Sequence, residues 1–317
     1  MGVSFDECFQ TRPIVSPPAN FDEFWKEAIN DLKNVPIKKQ YKSNLKLNAL
    51  KETNADVQYQ SLGNINLDAT LITPRWKNSC PIVVHFHDYN GTRHEKIRSL
   101  TELGIGQLLV SLRGHDLPNQ VEISEGQEHT LGYFRNFLDN PKQHYLCLLY
   151  VDVIRTIEFL RLTETVDATK IILHGKNLGA SMALFGAAFS DRVKGIILET
   201  PNFCYVNSEQ MELEVSWAKE LNSALNNPKF KKNTFKTFLG YFDSLNLVSK
   251  IQIPTLITVG MEDTVSSPKS AFALMNNLNC DKRMQIFPTE GNECGGEKGE
   301  AMCLDFYKEF LLETQTQ

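Results

Sequence analysis

Lys170-Ile171-Ile172-Leu173-His174-Gly175-Lys176-Asn177-Leu178-Gly179-Ala180-Ser181 is the stretch on which the reading of this chain turns. The apolar run Ile171–Leu173 reads as a buried strand. Gly175 and Gly179 bracket a sharp turn, and Ala180 to Leu184 is small and helix-prone. Strand, Gly-x-x-x-Gly turn and helix together have the shape of a nucleophile elbow, which lifts its middle residue to the carboxyl end of a sheet. Chemistry at that point calls for Ser, Cys or Asp. The middle residue is Asn177, and an amide is no nucleophile. An ordinary strand–turn–helix of another α/β fold carries the same short pattern, so the rest of the chain has to decide.

Upstream, Pro81 to His87 reads as a buried strand ending in the turn Asp88-Tyr89-Asn90-Gly91. Leu108–Leu112 is the next strand and leads into Arg113-Gly114-His115-Asp116. A polar segment over about 114–140 has little periodicity and reads as an insertion or lid. Tyr145 to Leu162 has the helical spacing Val151, Ile154, Ile157, Leu160. Downstream, Val193 to Pro201 is strand-like, and 205–248 reads as a helical insertion. Pro254 to Asp263 is a strand entering an acidic turn. A helix over 268–278, a last strand from Arg283, a Gly-rich loop at Glu290–Gly296 and a final helix from about Gly299 to Leu312 complete the order. Strands alternating with helices predict a mostly parallel sheet covered on both faces. Residues 1–75 read as an N-terminal extension. It has a Pro-stiffened arm at 12–18 and a helix opened by Asn20 as N-cap with Glu23. Antiparallel strands follow over 45–51, 55–61 and 64–74. We expect a single domain of α/β-hydrolase type over 1–317.

The 317 residues carry a net charge of −5 and no basic block, which argues against a nucleic-acid surface. No apolar run reaches the roughly 18 residues needed to span a bilayer. Met1-Gly2-Val3-Ser4-Phe5-Asp6 lacks the pattern of a signal peptide, and Asp6 stands where myristoylation requires Ser or Thr. Seven scattered cysteines without a C-x-x-C pair suggest reduced thiols and a cytoplasmic setting. No cofactor is expected.

In an α/β-hydrolase the triad arrives as nucleophile, acid, then His. Asp263 fills the acid position. Asn292 stands in the loop where the His belongs, and no histidine lies beyond His174. At this point the chain resembles, over nearly its full length, the acetyl xylan esterases and cephalosporin C deacetylases of the seventh carbohydrate-esterase family. The likeness rests on several segments: Phe21-Asp22-Glu23-Phe24-Trp25, His87-Asp88-Tyr89-Asn90-Gly91, Arg113-Gly114, Asp152-Val153-Ile154-Arg155, Ser190 to Cys204, Tyr241 to Leu247 and Pro254 to Asp263. It departs at the family's Gly-x-Ser-Gln-Gly-Gly elbow, where Asn177 replaces the serine, and at its Asn-His-Glu-Gly-Gly loop, where Asn292 replaces the histidine. Cys147-Leu148-Leu149 also replaces part of the family's pocket wall. The resemblance implies that the backbone N–H groups of Tyr89 and Leu178 form an oxyanion hole, and that the chain assembles as a homo-oligomer between dimer and hexamer.

These residues support three expectations. The first is a non-hydrolytic pseudoenzyme that binds a small acetylated or sugar-like ligand or a partner protein. The second is an enzyme that uses the surviving oxyanion donors and Asp263 for a non-serine acyl transfer or lyase-type step. The third is a structural subunit that assembles with an active paralogue. Asn177 tolerates the positive φ of an elbow, so the scaffold can outlive its serine. Cys294 and Ser181 read as packed core residues. His85 and His87 share a strand face, but further metal ligands are only weakly placed, so no metal site is expected.

Overall fold

The computed structural model describes residues 4–42, 51–115, 132–207, 211–226 and 232–312. Its centre is one nine-stranded sheet in the order β1-β2-β3-β5-β4-β6-β7-β8-β9. The strands are β1 (Gln40–Lys42), β2 (Glu52–Gln60), β3 (Asn66–Pro74), β4 (Cys80–Phe86), β5 (Gly106–Val110), β6 (Val166–Lys176), β7 (Val193–Glu199), β8 (Thr255–Gly260) and β9 (Lys282–Phe287). Strands β1 to β3 form an antiparallel meander, and β3 joins the rest antiparallel to β5. From β5 onward every pairing is parallel.

The parallel strands are apolar on both faces, and their alternation sorts them into two cores. Ile171, Leu173, Ile196, Leu198 and Ile257 face one core, together with the helices Phe21–Asn30, Tyr145–Arg161 and Leu178–Phe189. Ile172, Ile197, Val83 and Leu256 face the other, under the C-terminal helix Glu297–Leu311, which contributes Cys303, Phe306, Tyr307 and Leu311. Trp25 is fully buried against Phe24, Tyr150, Phe185 and Phe242. Burying a side chain of that size contributes about 3 kcal/mol.

Two local readings change. The first strand of the meander is Gln40–Lys42, and most of the expected 45–51 strand lies outside the described residues. Asn20 stands at the N-cap of Phe21–Asn30 without a capping bond, because its Oδ1 accepts the Tyr241 hydroxyl at 2.8 Å instead. The expected lid over 114–140 falls largely on undescribed residues. Phe134 packs inward, and the Gly132 and Phe134 N–H groups donate to Glu220 at 2.8 and 3.0 Å. The 205–248 insertion contains helices Ser216–Leu225 and Lys232–Phe242 and a 3₁₀ segment Ser244–Lys250. Among the described residues, no helix is long and apolar enough to cross a membrane.

Arg113 and Asp152 form a buried two-pronged pair beside the site, at 2.6 and 2.7 Å. Ser61 Oγ donates to the same carboxylate at 2.5 Å. Arg155 donates to the carbonyls of Leu32 and Val35, both at 2.8 Å. The arginines and aspartate read from the sequence therefore tie the N-terminal extension to the helix Tyr145–Arg161, and their charge is consumed in doing so.

Candidate active site

Asn177 occupies a tight turn between β6 and the helix Leu178–Phe189, with φ 53° and ψ −114°. The two glycines of the elbow are required by space. A Cβ on Gly175 would lie 1.9 Å from the Gly179 carbonyl oxygen, and one on Gly179 would lie 2.2 Å from that of Phe86. The turn is held by Asn177 N–H donating to Glu199 O at 2.9 Å and Ala180 N–H donating to Asn177 O at 3.1 Å.

Three positions expected to carry a triad converge. Asn177 and Asn292, 115 residues apart, face each other as reciprocal amides. Asn177 Nδ2 donates to Asn292 Oδ1 at 3.2 Å, and Asn292 Nδ2 donates to Asn177 Oδ1 at 2.9 Å. Asn292 Nδ2 also reaches Asp263 Oδ2 at 2.9 Å and Thr200 Oγ1 at 3.2 Å. Thr200 Oγ1 in turn donates to Asn177 Oδ1 at 2.6 Å. The other Asp263 oxygen accepts the N–H groups of Val265 and Ser266 at 2.8 and 3.0 Å. Burial pushes the Asp263 carboxyl up, against these hydrogen bonds. The elbow, the late acidic turn and the Gly-rich loop thus form a relay without a proton carrier. Neither amide titrates in the working range, so the chain Asn177–Asn292–Asp263 cannot pass a proton as a Ser–His–Asp triad does.

The oxyanion donors hold the larger surprise. Leu178 N–H donates to Asp88 Oδ1 at 3.2 Å. The Tyr89 N–H also acts on this carboxyl. Burial pushes its pKa up, while the N–H groups of Leu178 and Tyr89 and the amide of Asn177 pull the other way. A side chain of the chain itself therefore takes up the N–H expected to serve as an oxyanion donor. In the sequence Asp88 stands in a turn, in the family-like segment His87–Gly91, and as a weakly placed metal ligand beside His85 and His87. The available signal was an acidic residue directly before a donor N–H. Tyr89 itself is pinned by its hydroxyl, which donates to Glu220 at 3.0 Å, and by its carbonyl, which lies 2.5 Å from His115 Nε2.

Ser181 Oγ is buried and donates to Phe203 O at 3.1 Å, so it packs as expected. Cys294 is buried, and burial pushes its thiol up to about 11, away from the reactive range. Cys147 is buried in its helix, with its thiol pushed up to about 12 by burial. His85 and His87 join different groups. The His85 ring lies 5.2 Å from that of His174, and His87 lies 5.2 Å from His115.

The family model for acetyl xylan esterase (AXE1) matches residues 1–310. The chain belongs to the acetyl xylan esterase family. Among its relatives is the acetyl esterase Axe7A of Xylanibacter ruminicola, 23% identical over 296 residues. That match covers 87% of this chain but only 64% of the relative's length. The fold is that of acetyl xylan esterase 1 from Thermoanaerobacterium sp., with TM-score 0.84 and 21% identity over 98% of this chain and 99% of that one. The acetyl xylan esterase from Paenibacillus sp. R4 gives TM-score 0.86 and 22% identity over 98% and 100%. A more distant likeness, to the acylaminoacyl peptidase of Pyrococcus horikoshii, has TM-score 0.62 and 17% identity over 84% of this chain and 43% of that one. This member of the acetyl xylan esterase family thus has an α/β-hydrolase sheet, with the amides of Asn177 and Asn292 and the Asp263 carboxyl meeting at its elbow.

Proposed function

We propose that this chain is a non-hydrolytic member of the acetyl xylan esterase family, whose elbow site holds a sugar-like, hydroxyl-rich ligand without cleaving it. The observation that carries the reading is the Asp88 carboxylate on the Leu178 N–H. With that donor taken, an acyl oxyanion meets a like charge where it needs hydrogen bonds. The amide pair of Asn177 and Asn292 removes nucleophile and base together. Asp88 and Asn292 remain half-buried and thus open to a ligand. A carboxylate beside two amides suits hydroxyl groups, because the carboxylate accepts from them and each amide can both accept and donate.

The test is titration of acetylated xylo-oligosaccharide into the full chain, followed by both calorimetry and acetate release. Binding without acetate release above a trace is expected. Turnover within tenfold of an active acetyl xylan esterase would overturn the reading, as would labelling of any serine by a fluorophosphonate. Absence of binding removes the ligand class while leaving the lack of hydrolysis to be judged by acetate release.

A further inference from the structure

On the opposite face of the same strand ends lies a group the elbow does not use. His174 follows Ile172 by two residues, and Glu199 follows Ile197 by two, so both point to the face covered by the C-terminal helix. That helix presents Cys303 and Tyr307 one turn apart. Strand and helix periods thereby bring an imidazole, a carboxylate and a thiol together, and their ligand atoms all lie within 4.8 Å of one another. His174 Nε2 is 3.2 Å from Glu199 Oε1, and Cys303 Sγ is 3.7 Å from the same oxygen. A tetrahedral zinc ion, with bonds of about 2.0–2.3 Å to nitrogen, oxygen and sulfur, has ligand atoms roughly 3.3–3.6 Å apart. The two separations to Glu199 bracket that spacing, and the His174–Cys303 separation is within 4.8 Å.

Hydrogen bonding adds an independent sign. His174 Nδ1 lies 2.5 Å from the Tyr307 hydroxyl, which fixes the ring and leaves Nε2 toward Glu199. His174 Nε2 therefore has the Glu199 carboxylate as its partner, and against burial the pairing with His174 holds the Glu199 carboxyl down at about 2. The His85 ring packs at 5.2 Å on His174 and 5.5 Å on His94, and its Nε2 is buried with no partner at all. Buried polar atoms are normally satisfied, so an unpartnered imidazole nitrogen packed against a His–Glu–Cys cluster points to a missing electrophile. His94 is half-buried, with its ring 6.1 Å from that of His174, and gives the group an opening to solvent.

We propose that His174, Glu199 and Cys303 bind a borderline-soft divalent transition metal, Zn²⁺ in the first instance, with the fourth position open on the His94 side. The mixed nitrogen, oxygen and sulfur set selects such an ion over Mg²⁺ or Ca²⁺, which take oxygen ligands. Binding forms the Sγ–metal bond as Cys303 releases its proton to solvent. The ion clasps the C-terminal helix to β6 and β7.

The full chain, stripped with chelator and desalted, is titrated with Co²⁺ and then Zn²⁺. One equivalent of Co²⁺ is expected, with a thiolate-to-cobalt charge-transfer band that Zn²⁺ abolishes, and Zn²⁺ should raise the melting midpoint. Cys303→Ser should remove the band, and His174→Gln should weaken binding at least tenfold. Cys280→Ser, at a half-buried thiol elsewhere, should change neither. The proposal is overturned if the folded wild-type chain gives no band, or if the band survives Cys303→Ser. Should Cys303→Ser not fold, His174→Gln decides: unchanged affinity in a folded His174→Gln chain overturns the proposal equally.

Discussion

The elbow and the His174 cluster are joined by one backbone hydrogen bond, Asn177 N–H to Glu199 O, yet they treat their polar groups in opposite ways. At the elbow most of the polar side chains find partners within the chain, although both polar atoms of the buried Asn202 amide lack an aligned hydrogen bond. Asn177, Asn292, Thr200 and Asp263 close on one another, and Asp88 caps the Leu178 N–H. Across the sheet, His85 keeps a fully buried nitrogen with no hydrogen-bond partner, next to the His174–Glu199 pair. A satisfied buried network adds rigidity, whereas an unsatisfied buried atom costs free energy until something binds it. The site that resembles a catalytic centre therefore has the weaker claim to an electrophile, and the cluster without a catalytic motif has the stronger one.

The largest effect should come from undoing the elbow's self-satisfaction. Asn177→Ser with Asn292→His restores nucleophile and base, but Asp88 still fills the hole. Adding Asp88→Ala should raise acetate-ester turnover over the double variant by on the order of 10²–10³-fold, the usual cost of losing one oxyanion donor. Each single change should stay near background, because the groups act as a unit. Steady-state kinetics on a small acetate ester gives the answer. If the triple variant folds yet is no faster than the double, Asp88 is not the obstruction.

A middle-sized effect compares the two regions directly by urea denaturation in chelator. Asn292→Ala leaves Asp263 Oδ2 and Asn177 short of partners, and should cost about 1–3 kcal/mol. His85→Phe keeps a ring of similar size and gives up a nitrogen that had no partner, so its cost should be under about 1 kcal/mol. Equal losses would erase the contrast between the two clusters.

The smallest effect is one of pH. Burial raises the Asp88 carboxyl in the folded chain above its unfolded value. The stabilisation of its protonated form is complete below the unfolded pKa, and is lost as pH rises through the raised folded pKa. Asn does not titrate, so the melting midpoint of Asp88→Asn minus that of the unmodified chain should grow between pH 4.5 and pH 8. Scanning calorimetry at the two values checks this, and a constant or shrinking gap contradicts it.

Much of the molecule is legible in the sequence because it rests on local rules. Gly175 and Gly179 are demanded by backbone clearance within one turn, so their spacing marks the elbow before any fold is known. The unbroken apolar runs Ile171–Leu173 and Ile196–Leu198 announce strands buried on both faces. The amides at 177 and 292 are read directly once the order of elements is in hand. Three features were settled only by the tertiary structure. Asp88 meets Leu178 across 90 residues, Asp152 meets Arg113 across 39, and Cys303 meets Glu199 across 104. Sequence periodicity assigns a residue to a face, but not to the particular distant group that the sheet order brings opposite it. Whether a polar residue is satisfied is a property of that encounter. A motif therefore shows where chemistry could occur, and the folded packing decides whether its donors are still available.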